Sequence, residues 1–274
     1  MRSLFLTLFI SSLAMAQPEL RGEFTQGGVV VGQAAKGSQV WLNEAPIKVS
    51  TTGKFVFGFS RDERGAVTVK VAEPNKPRWS QTHSIAKREY NIQRIEGVPD
   101  KMVNPPAQRL ERIRQENAQV AQARKLNDDR EDFFMSFQWP VVGPISGVYG
   151  SQRVFNGVPK RPHYGVDVAI GLGTDVVAPA GGVVTLAHNG MYYSGGTLII
   201  DHGHQLSSTF LHLNSITVKS GDVVKQGQLI AKSGVSGRAT GPHLDWRMNW
   251  KNKRVDPQLL VPAMESLLSS QLEH

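Results

Sequence analysis

The sequence predicts a mostly β protein in which a helical linker joins two β regions. Short runs of β-branched and aromatic residues recur along the chain, separated by Gly, Pro, Asn and Asp turn chemistry. Between residues 105 and 132 the spacing of apolar residues becomes helical within a densely charged segment. Because no long helices separate the later strands, the pattern excludes a doubly wound parallel sheet.

Charge and cysteine content limit the partners and the chemistries that this protein can have. The chain has 274 residues, room for two modest domains, and a formal net charge of +8. A basic balance suits an anionic polymer such as nucleic acid, a membrane surface or a cell wall. The chain has no cysteine, which excludes disulfides, a cysteine nucleophile, thiolate metal ligands and a lipoprotein anchor.

Residues 1–16 have the pattern of a signal peptide. Arg2 precedes an apolar run from Leu4 to Leu13, and Ala14-Met15-Ala16 forms a small-x-small cleavage site before Gln17. We therefore expect an exported protein, in the periplasm or otherwise secreted or associated with the cell wall. Export argues against nucleic acid as a partner. No later apolar run approaches ~18 residues, so no stable membrane anchor is expected.

Residues 17–100 predict a small β-sandwich domain. Five short strand-like runs occur here, among them Gly28–Gly32 and Ala66–Val71. The stretch from Gly37 to Phe59 resembles small immunoglobulin-like modules. No cluster of catalytic residue types is present, so we interpret this domain as a spacer, binding or shielding module.

Residues 101–135 predict a helical linker, with a helix over 105–132. Asn104 is placed to cap the helix, and Pro105 suits its first turn. One stripe at helical spacing is formed by Leu110, Ile113, Asn117 and Val120. Two interpretations stay open: a helix docked on one domain, or a latch across the groove of the region that follows.

Residues 136–264 contain the residue types that chemistry requires. His163 and Asp167 are four apart, and His243 and Asp245 are two apart, so each pair shares a face if both segments are strands. Convergence of the two faces would give the nitrogen and oxygen ligands that a divalent metal such as zinc needs. His212 adds one more imidazole within an apolar run.

These segments, together with Gly171–Val184 and Gly221–Ile230, resemble the lysostaphin/LytM-type zinc endopeptidases that cut peptidoglycan peptides. The match covers residues 138–262 and leaves 265–274 as a tail. The resemblance implies an antiparallel β core with the metal groove on an open face. It also implies one Zn²⁺ per chain and the following roles. The metal ligands would be His163, Asp167 and Asp245, and the catalytic imidazoles would be His212 and His243. Which histidine takes the proton of the attacking water stays open.

Asp245 departs from the family pattern, which has a second histidine at this position. Zinc accepts carboxylate oxygen, so we expect Asp245 to be the third ligand. A His-Asp-Asp set leaves a zinc site formally neutral, whereas a His-Asp-His set leaves +1, so weaker activation of water is expected. The predicted function is hydrolysis of peptide bonds in peptidoglycan stem peptides or cross-bridges. The alternative is a LytM-fold wall-binding protein or amidase regulator that works with a partner protein.

A second His-x-His pair, His202 and His204, competes as a metal site. It flanks Gly203 at the apex of a predicted hairpin, where strand alternation is broken. We therefore interpret both histidines as turn residues outside the site.

Overall fold

The computed structural model describes residues 17–95 and 107–272, and this part of the chain is mostly antiparallel β. The expected signal peptide at residues 1–16 and the expected helix start at Asn104 and Pro105 lie outside the described residues. Across the described ranges, no helix is both long enough and apolar enough to cross a membrane.

Seven strands at the N-terminal end form two antiparallel sheets. They are β1 Glu19–Gly22, β2 Val29–Gln33, β3 Gln39–Leu42, β4 Ala45–Ile47, β5 Lys54–Gly58, β6 Ala66–Ala72 and β7 Trp79–Ser84. The strand orders are β1-β2-β5 and β4-β3-β6-β7. Side-chain alternation sets the core, because Val67, Val69 and Val71 of β6 are buried while their neighbours along the strand are more exposed. These valines share the core with Phe55 and Phe57 of β5.

The next strand, β8 Ile92–Ile95, pairs with the C-terminal region instead of these two sheets. It runs parallel to β10 Gln152–Phe155, which also pairs with β11 Val158–Pro159. Nearby, the Arg61 side chain donates through Nε to the Gly150 carbonyl at 2.9 Å. Main-chain pairing and this buried hydrogen bond therefore connect the two β regions directly.

The linker helix is shorter than predicted. A 3-10 turn at Ala107–Arg109 leads into α1 Leu110–Ala123, and the helix ends there and not at residue 132. Beyond it, the carbonyls of Asn127 and Asp128 accept hydrogen bonds from the Lys48 ammonium group. The segment that follows the helix is therefore attached to the N-terminal domain.

The inward face of α1 also differs from the predicted stripe. Leu110 is 39% exposed and Asn117 is exposed. The residues turned toward the protein are Ile113, Glu116, Val120 and Ala123. This stripe includes a carboxylate that bonds to the body of the protein, a contact that an apolar pattern does not reveal.

An eight-stranded antiparallel sheet organises the C-terminal region. Its strands are β9 Ile145–Gly147, β12 Val166–Ala169, β14 Gly182–Met191, β15 Gly195–Asp201, β16 Leu206–Leu213, β18 Val223–Val224, β20 His243–Trp250 and β21 Lys253–Val255. The order is β18-β14-β15-β16-β20-β12-β9, and β21 pairs with β20. A smaller sheet contains β13 Asp175–Val177, β17 Ser215–Ile216 and β19 Leu229–Lys232.

One face of strand β20 packs in the hydrophobic core, and the other carries candidate site residues. Leu244, Trp246 and Met248 are fully buried in the hydrophobic core. The alternate residues of the strand face the other way, and they are His243, Asp245, Arg247 and Asn249. At the C-terminal end, where a tail was expected, the structure has α2 Met264–Leu272, with Met264 buried in the core.

Candidate metal centre

Three side chains converge at the junction of β12 and β20. His163, Asp167 and Asp245 each offer one ligand atom, and these atoms all lie within 4.8 Å of one another. Within the described ranges, this is the one group of at least three His, Asp or Glu side chains that meets this criterion. The structure thus brings together the three residues that the sequence analysis expected to bind metal.

The main chain explains the convergence. Asp167 on β12 and Asp245 on β20 are direct cross-strand partners, so their side chains share a face. His163 lies three residues before β12, so the expectation that it shares a strand with Asp167 is wrong. Two main-chain hydrogen bonds hold it instead, from the Gly150 amide to the His163 carbonyl and from the His163 amide to the Ser151 carbonyl, both at 2.8 Å. Its Nε2 lies 3.3 Å from Asp167 Oδ1.

Two of the candidate ligand atoms are buried without a hydrogen-bond partner. These atoms are Nε2 of His163 and Oδ1 of Asp167. A buried polar atom with no partner is costly, typically by ~1–3 kcal/mol. A divalent cation would satisfy both atoms at once, because imidazole nitrogen and carboxylate oxygen are its usual donors. The residues present therefore fit a metal of the zinc type.

The third candidate ligand is held by an arginine. Arg247, on the same face of β20, donates through Nε to both oxygens of Asp245 at 2.8 and 3.1 Å, and through Nη2 to Oδ2 at 2.5 Å. Burial raises the pKa of Asp245, but the Arg247 guanidinium outweighs burial and holds this pKa below its ordinary value. The Asp245 carboxylate is therefore ionised, and the positive charge of Arg247 already balances its negative charge.

Arg247 changes the charge expected for the site. With Zn²⁺, a His-Asp-Asp set is formally neutral, and a guanidinium on the third ligand returns the total to +1. Arg247 is not among the site residues predicted from the sequence. The alternation that placed His243 and Asp245 on one face extends to Arg247 two residues later, so the signal was present in the sequence.

The two expected catalytic imidazoles lie beside the candidate ligands. The rings of His212 and His243 are 4.8 Å apart, and His243 Nε2 is 4.0 Å from Asp167 Oδ1. In both rings Nδ1 is 2.8 Å from a main-chain carbonyl, that of Ser236 for His212 and that of Gly241 for His243. A carbonyl only accepts, so Nδ1 carries the proton and Nε2 has the free lone pair when the ring is neutral.

His212 is buried, and this has a consequence for its protonation. Burial lowers its pKa, an effect that the Ser236 carbonyl opposes. The residue also has a left-handed backbone, with φ of 62°, which interrupts the alternation of β16. At neutral pH the ring is therefore uncharged and able to accept a proton.

The second His-x-His pair, His202 and His204, is not part of a cluster of three or more metal-ligand side chains within the described ranges. His202 and His204 lie in the turn between β15 and β16, as expected. His202 is fully buried, with Nδ1 2.6 Å from the Gly181 carbonyl and Nε2 2.8 Å from Ser208 Oγ. His204 packs on Phe133, with ring centroids 4.6 Å apart.

Comparison with known proteins places this geometry in a family. The profile of Peptidase family M23 matches residues 161–257. The chain is 40% identical over 134 residues to the peptidoglycan DD-endopeptidase ShyA of Vibrio cholerae, covering 48% of this chain and 31% of that protein. It is 28% identical over 127 residues to the murein hydrolase activator NlpD of Escherichia coli, covering 46% of this chain and 31% of that protein.

A solved structure extends the similarity to the N-terminal region. A Pseudomonas aeruginosa protein described as a candidate M23 peptidase superimposes with a TM-score of 0.66 and 27% identity, covering 87% of this chain and 95% of that one. The curated relatives are longer, and the chain spans only 23 to 31% of the first three of them. Residues 161–257, which contain every candidate site residue, thus form a domain of peptidase family M23.

Proposed function

We propose that this protein is an exported, zinc-dependent endopeptidase that hydrolyses peptide bonds in the stem peptides or cross-bridges of peptidoglycan. One observation carries the proposal: three candidate ligand atoms within 4.8 Å of one another, next to two imidazoles 4.8 Å apart. Metal-assisted amide hydrolysis needs this combination of a metal-binding set and nearby proton-transfer groups. The similarity to peptidoglycan endopeptidases supports the substrate class.

The residues divide into two roles. His163, Asp167 and Asp245 would hold one zinc ion, which supplies Lewis-acid polarisation of the scissile carbonyl and a lowered pKa for water. His212 and His243 both present Nε2 beside this centre. The pKa of His212, lowered by burial, suits a base that accepts the proton of the attacking water at neutral pH.

The other imidazole, that of His243, then acts as the hydrogen-bond or proton donor in the reaction. His243 Nε2 lies 4.0 Å from Asp167 Oδ1, on the side of the candidate ligands. A protonated His243 would donate a hydrogen bond to the developing oxyanion or a proton to the leaving amine. This assignment places His212 as the base and His243 as the donor.

Charge and export support the cell wall as the target. The net charge of +8 attracts an anionic polymer, and the pattern of residues 1–16 predicts delivery across the inner membrane. The periplasm is therefore the proposed location.

A second function is favoured by a separate observation. Arg247 occupies both oxygens of Asp245, so this carboxylate has a partner without any metal, as a regulator that binds none would require. The similarity to a murein hydrolase activator fits this candidate. Such a protein would act through a partner amidase and would leave peptidoglycan uncut by itself.

Metal content and digestion of purified peptidoglycan distinguish the two functions. The endopeptidase should bind about one zinc per chain and release peptides, and His163→Ala and Asp245→Ala should each lose zinc and activity together. Asp175→Ala is a matched control, because it removes an exposed carboxylate that pairs with Lys232 outside the candidate centre. A wild-type chain with no zinc and no digestion, but with stimulation of an amidase, would establish the regulator.

A further inference from the structure

Four arginines lie beside the candidate metal centre, and we refer to them as the arginine cluster. They are Arg124, Arg161, Arg247 and Arg254. Arg247 is held on Asp245. The Cβ of any residue replacing Gly165 would lie 2.5 Å from Arg247 Cγ, so the glycine makes room for this side chain. The position of Arg247 is thus built into the strand pair β12 and β20.

The other three arginines approach the same face of β20 from different elements. Arg124, just after α1, donates to Thr209 Oγ1 at 3.0 Å, and Thr209 is the cross-strand partner of Arg247. Arg254 on β21 donates to Asn249 Oδ1 at 3.0 Å, the next residue on the groove face of β20. Arg161 and Arg254 both lie over the ring of Tyr164, at 5.6 and 6.0 Å from its centroid.

The cluster has more positive than negative charge. Within the described ranges, Asp245 is the one carboxylate that forms an ion pair with any of the four guanidiniums. Nε of Arg124 is buried and has no hydrogen-bond partner. Burial, followed by the charges of Arg247 and Arg161, lowers the pKa of Arg254 to about 10. Several half-buried cations with one counter-charge are unfavourable unless an anion joins them.

We propose that the arginine cluster is a binding subsite for a carboxylate of the substrate peptide. Guanidinium groups match a carboxylate by two parallel hydrogen bonds, and of the two arginines over Tyr164, Arg161 is exposed and Arg254 is half-buried. Tyr164 follows the candidate ligand His163 directly, so a peptide crossing the metal centre would place a neighbouring acidic group on these two side chains. This inference rests on the proposed function and specifies its substrate as an acidic peptide.

Phosphate would be recognised by the same chemistry, so the experiment must separate the two anions. Binding to the full chain is measured by calorimetry with 1,10-phenanthroline present, a chelator without carboxylates, so that no peptide is hydrolysed. The probes are a synthetic stem tripeptide with free carboxylates, the same tripeptide with its carboxylates amidated, and inorganic phosphate. We expect the acidic tripeptide to bind about tenfold more tightly than its amide and more tightly than phosphate.

The variants locate the subsite. Arg254→Gln and Arg161→Gln should each reduce the preference for the acidic tripeptide to near unity, whereas Arg254→Lys should retain part of it. Arg78→Gln removes the same charge next to Trp41 in the N-terminal domain and should leave the preference unchanged. Equal affinity for the two tripeptides, tighter binding of phosphate, or an equal loss in Arg78→Gln would overturn the proposal. Because this binding needs neither zinc nor hydrolysis, its failure is distinguishable from failure of the zinc-loaded chain to digest peptidoglycan.

Discussion

Arg247 and Asp245 form a two-oxygen ion pair on one face of β20, two residues apart and with contacts of 2.5 to 3.1 Å. The pair stands where the resemblance to the lysostaphin/LytM-type enzymes implies a single neutral imidazole. An aspartate with its own guanidinium has the same formal charge as histidine. The two residues therefore act as one unit, and replacing one of them alone should be worse than replacing both.

The first prediction tests this unit. Asp245→His leaves the Arg247 guanidinium without its carboxylate beside a divalent cation. We expect a loss of zinc affinity of about 10- to 100-fold, the usual effect of disturbing a group that supports a metal ligand. The double variant Asp245→His with Arg247→Gln should recover most of this loss. Competition with a chromogenic chelator measures the affinities, and equal affinity in the single and double variants would show that the two residues are not coupled.

The second prediction separates catalysis from metal binding. His212→Ala removes the proposed base but none of the three candidate ligands, so zinc content should equal that of the wild type. Hydrolysis should fall by about 10²- to 10⁴-fold, the usual contribution of a general base. Atomic absorption and release of peptides from purified peptidoglycan provide the two readouts. If the variant loses zinc as fully as His163→Ala, His212 is a metal ligand and the division of roles is wrong.

The sequence predicts the orientation of those site residues that lie on regular strands. Alternation along β20 correctly grouped His243 with Asp245, and the same rule would have found Arg247. Alternation does not apply to His163, which precedes its strand, or to His212, whose positive φ interrupts it. These two positions required the family resemblance, because only tertiary hydrogen bonds fix their orientation.

Long-range contacts set the features that the sequence did not predict. Helix α1 ends at Ala123, and the segment that follows it is held by Lys48, which lies far away in the sequence. Arg124 contacts β16 only because the linker packs against the C-terminal sheet. Neither contact has a local pattern, whereas the strands of both β regions follow from local alternation and turn chemistry.

The third prediction concerns stability in acid. His204 is buried, both ring nitrogens lack a hydrogen-bond partner, and burial lowers its pKa to about 4. The unfolded chain binds this proton near pH 6.5, so the folded state loses stability as the pH falls from 6.5 to 4. His204 has φ of 51°, a conformation that asparagine tolerates well. His204→Asn should therefore remove about 2 kcal/mol from the decrease in the free energy of unfolding that acid causes.

Chemical denaturation at pH 7 and pH 4.5 measures this change. Asp201 acts in the opposite direction, because burial raises its pKa to about 7 and its folded-state proton stabilises the protein in the same window. In the wild type, the free energy of unfolding should thus fall less between pH 7 and pH 4.5 than it would if His204 alone titrated. In His204→Asn, it should change little over this range or rise as the pH falls. An unchanged pH dependence in His204→Asn would mean that His204 is not the group that titrates.

The fourth prediction is that α1 limits access to the groove. Arg112 Nη2 donates to the Gly190 carbonyl at 2.6 Å, and Glu116 accepts from the Tyr192 amide at 2.8 Å, so these two side chains attach the helix to the β14–β15 turn. At the other end, Arg124 bonds to Thr209, next to Arg247. An open pocket of about 730 Å³ lies between the helix and Thr185 of β14.

Removing both attachments should open the groove. The double variant Arg112→Ala with Glu116→Ala should digest peptidoglycan about two- to tenfold faster than the wild type at equal zinc content, since each lost hydrogen bond contributes ~1 kcal/mol to the closed state. The double variant Glu111→Ala with Arg114→Ala is the matched control, because it removes an exposed ion pair from the same helix without touching the sheet. Faster digestion in both double variants would indicate a general loss of helix stability, and equal rates in all three proteins would exclude the latch. Acceleration confined to the first variant would establish that the helix closes the groove through its contacts with Gly190 and Tyr192.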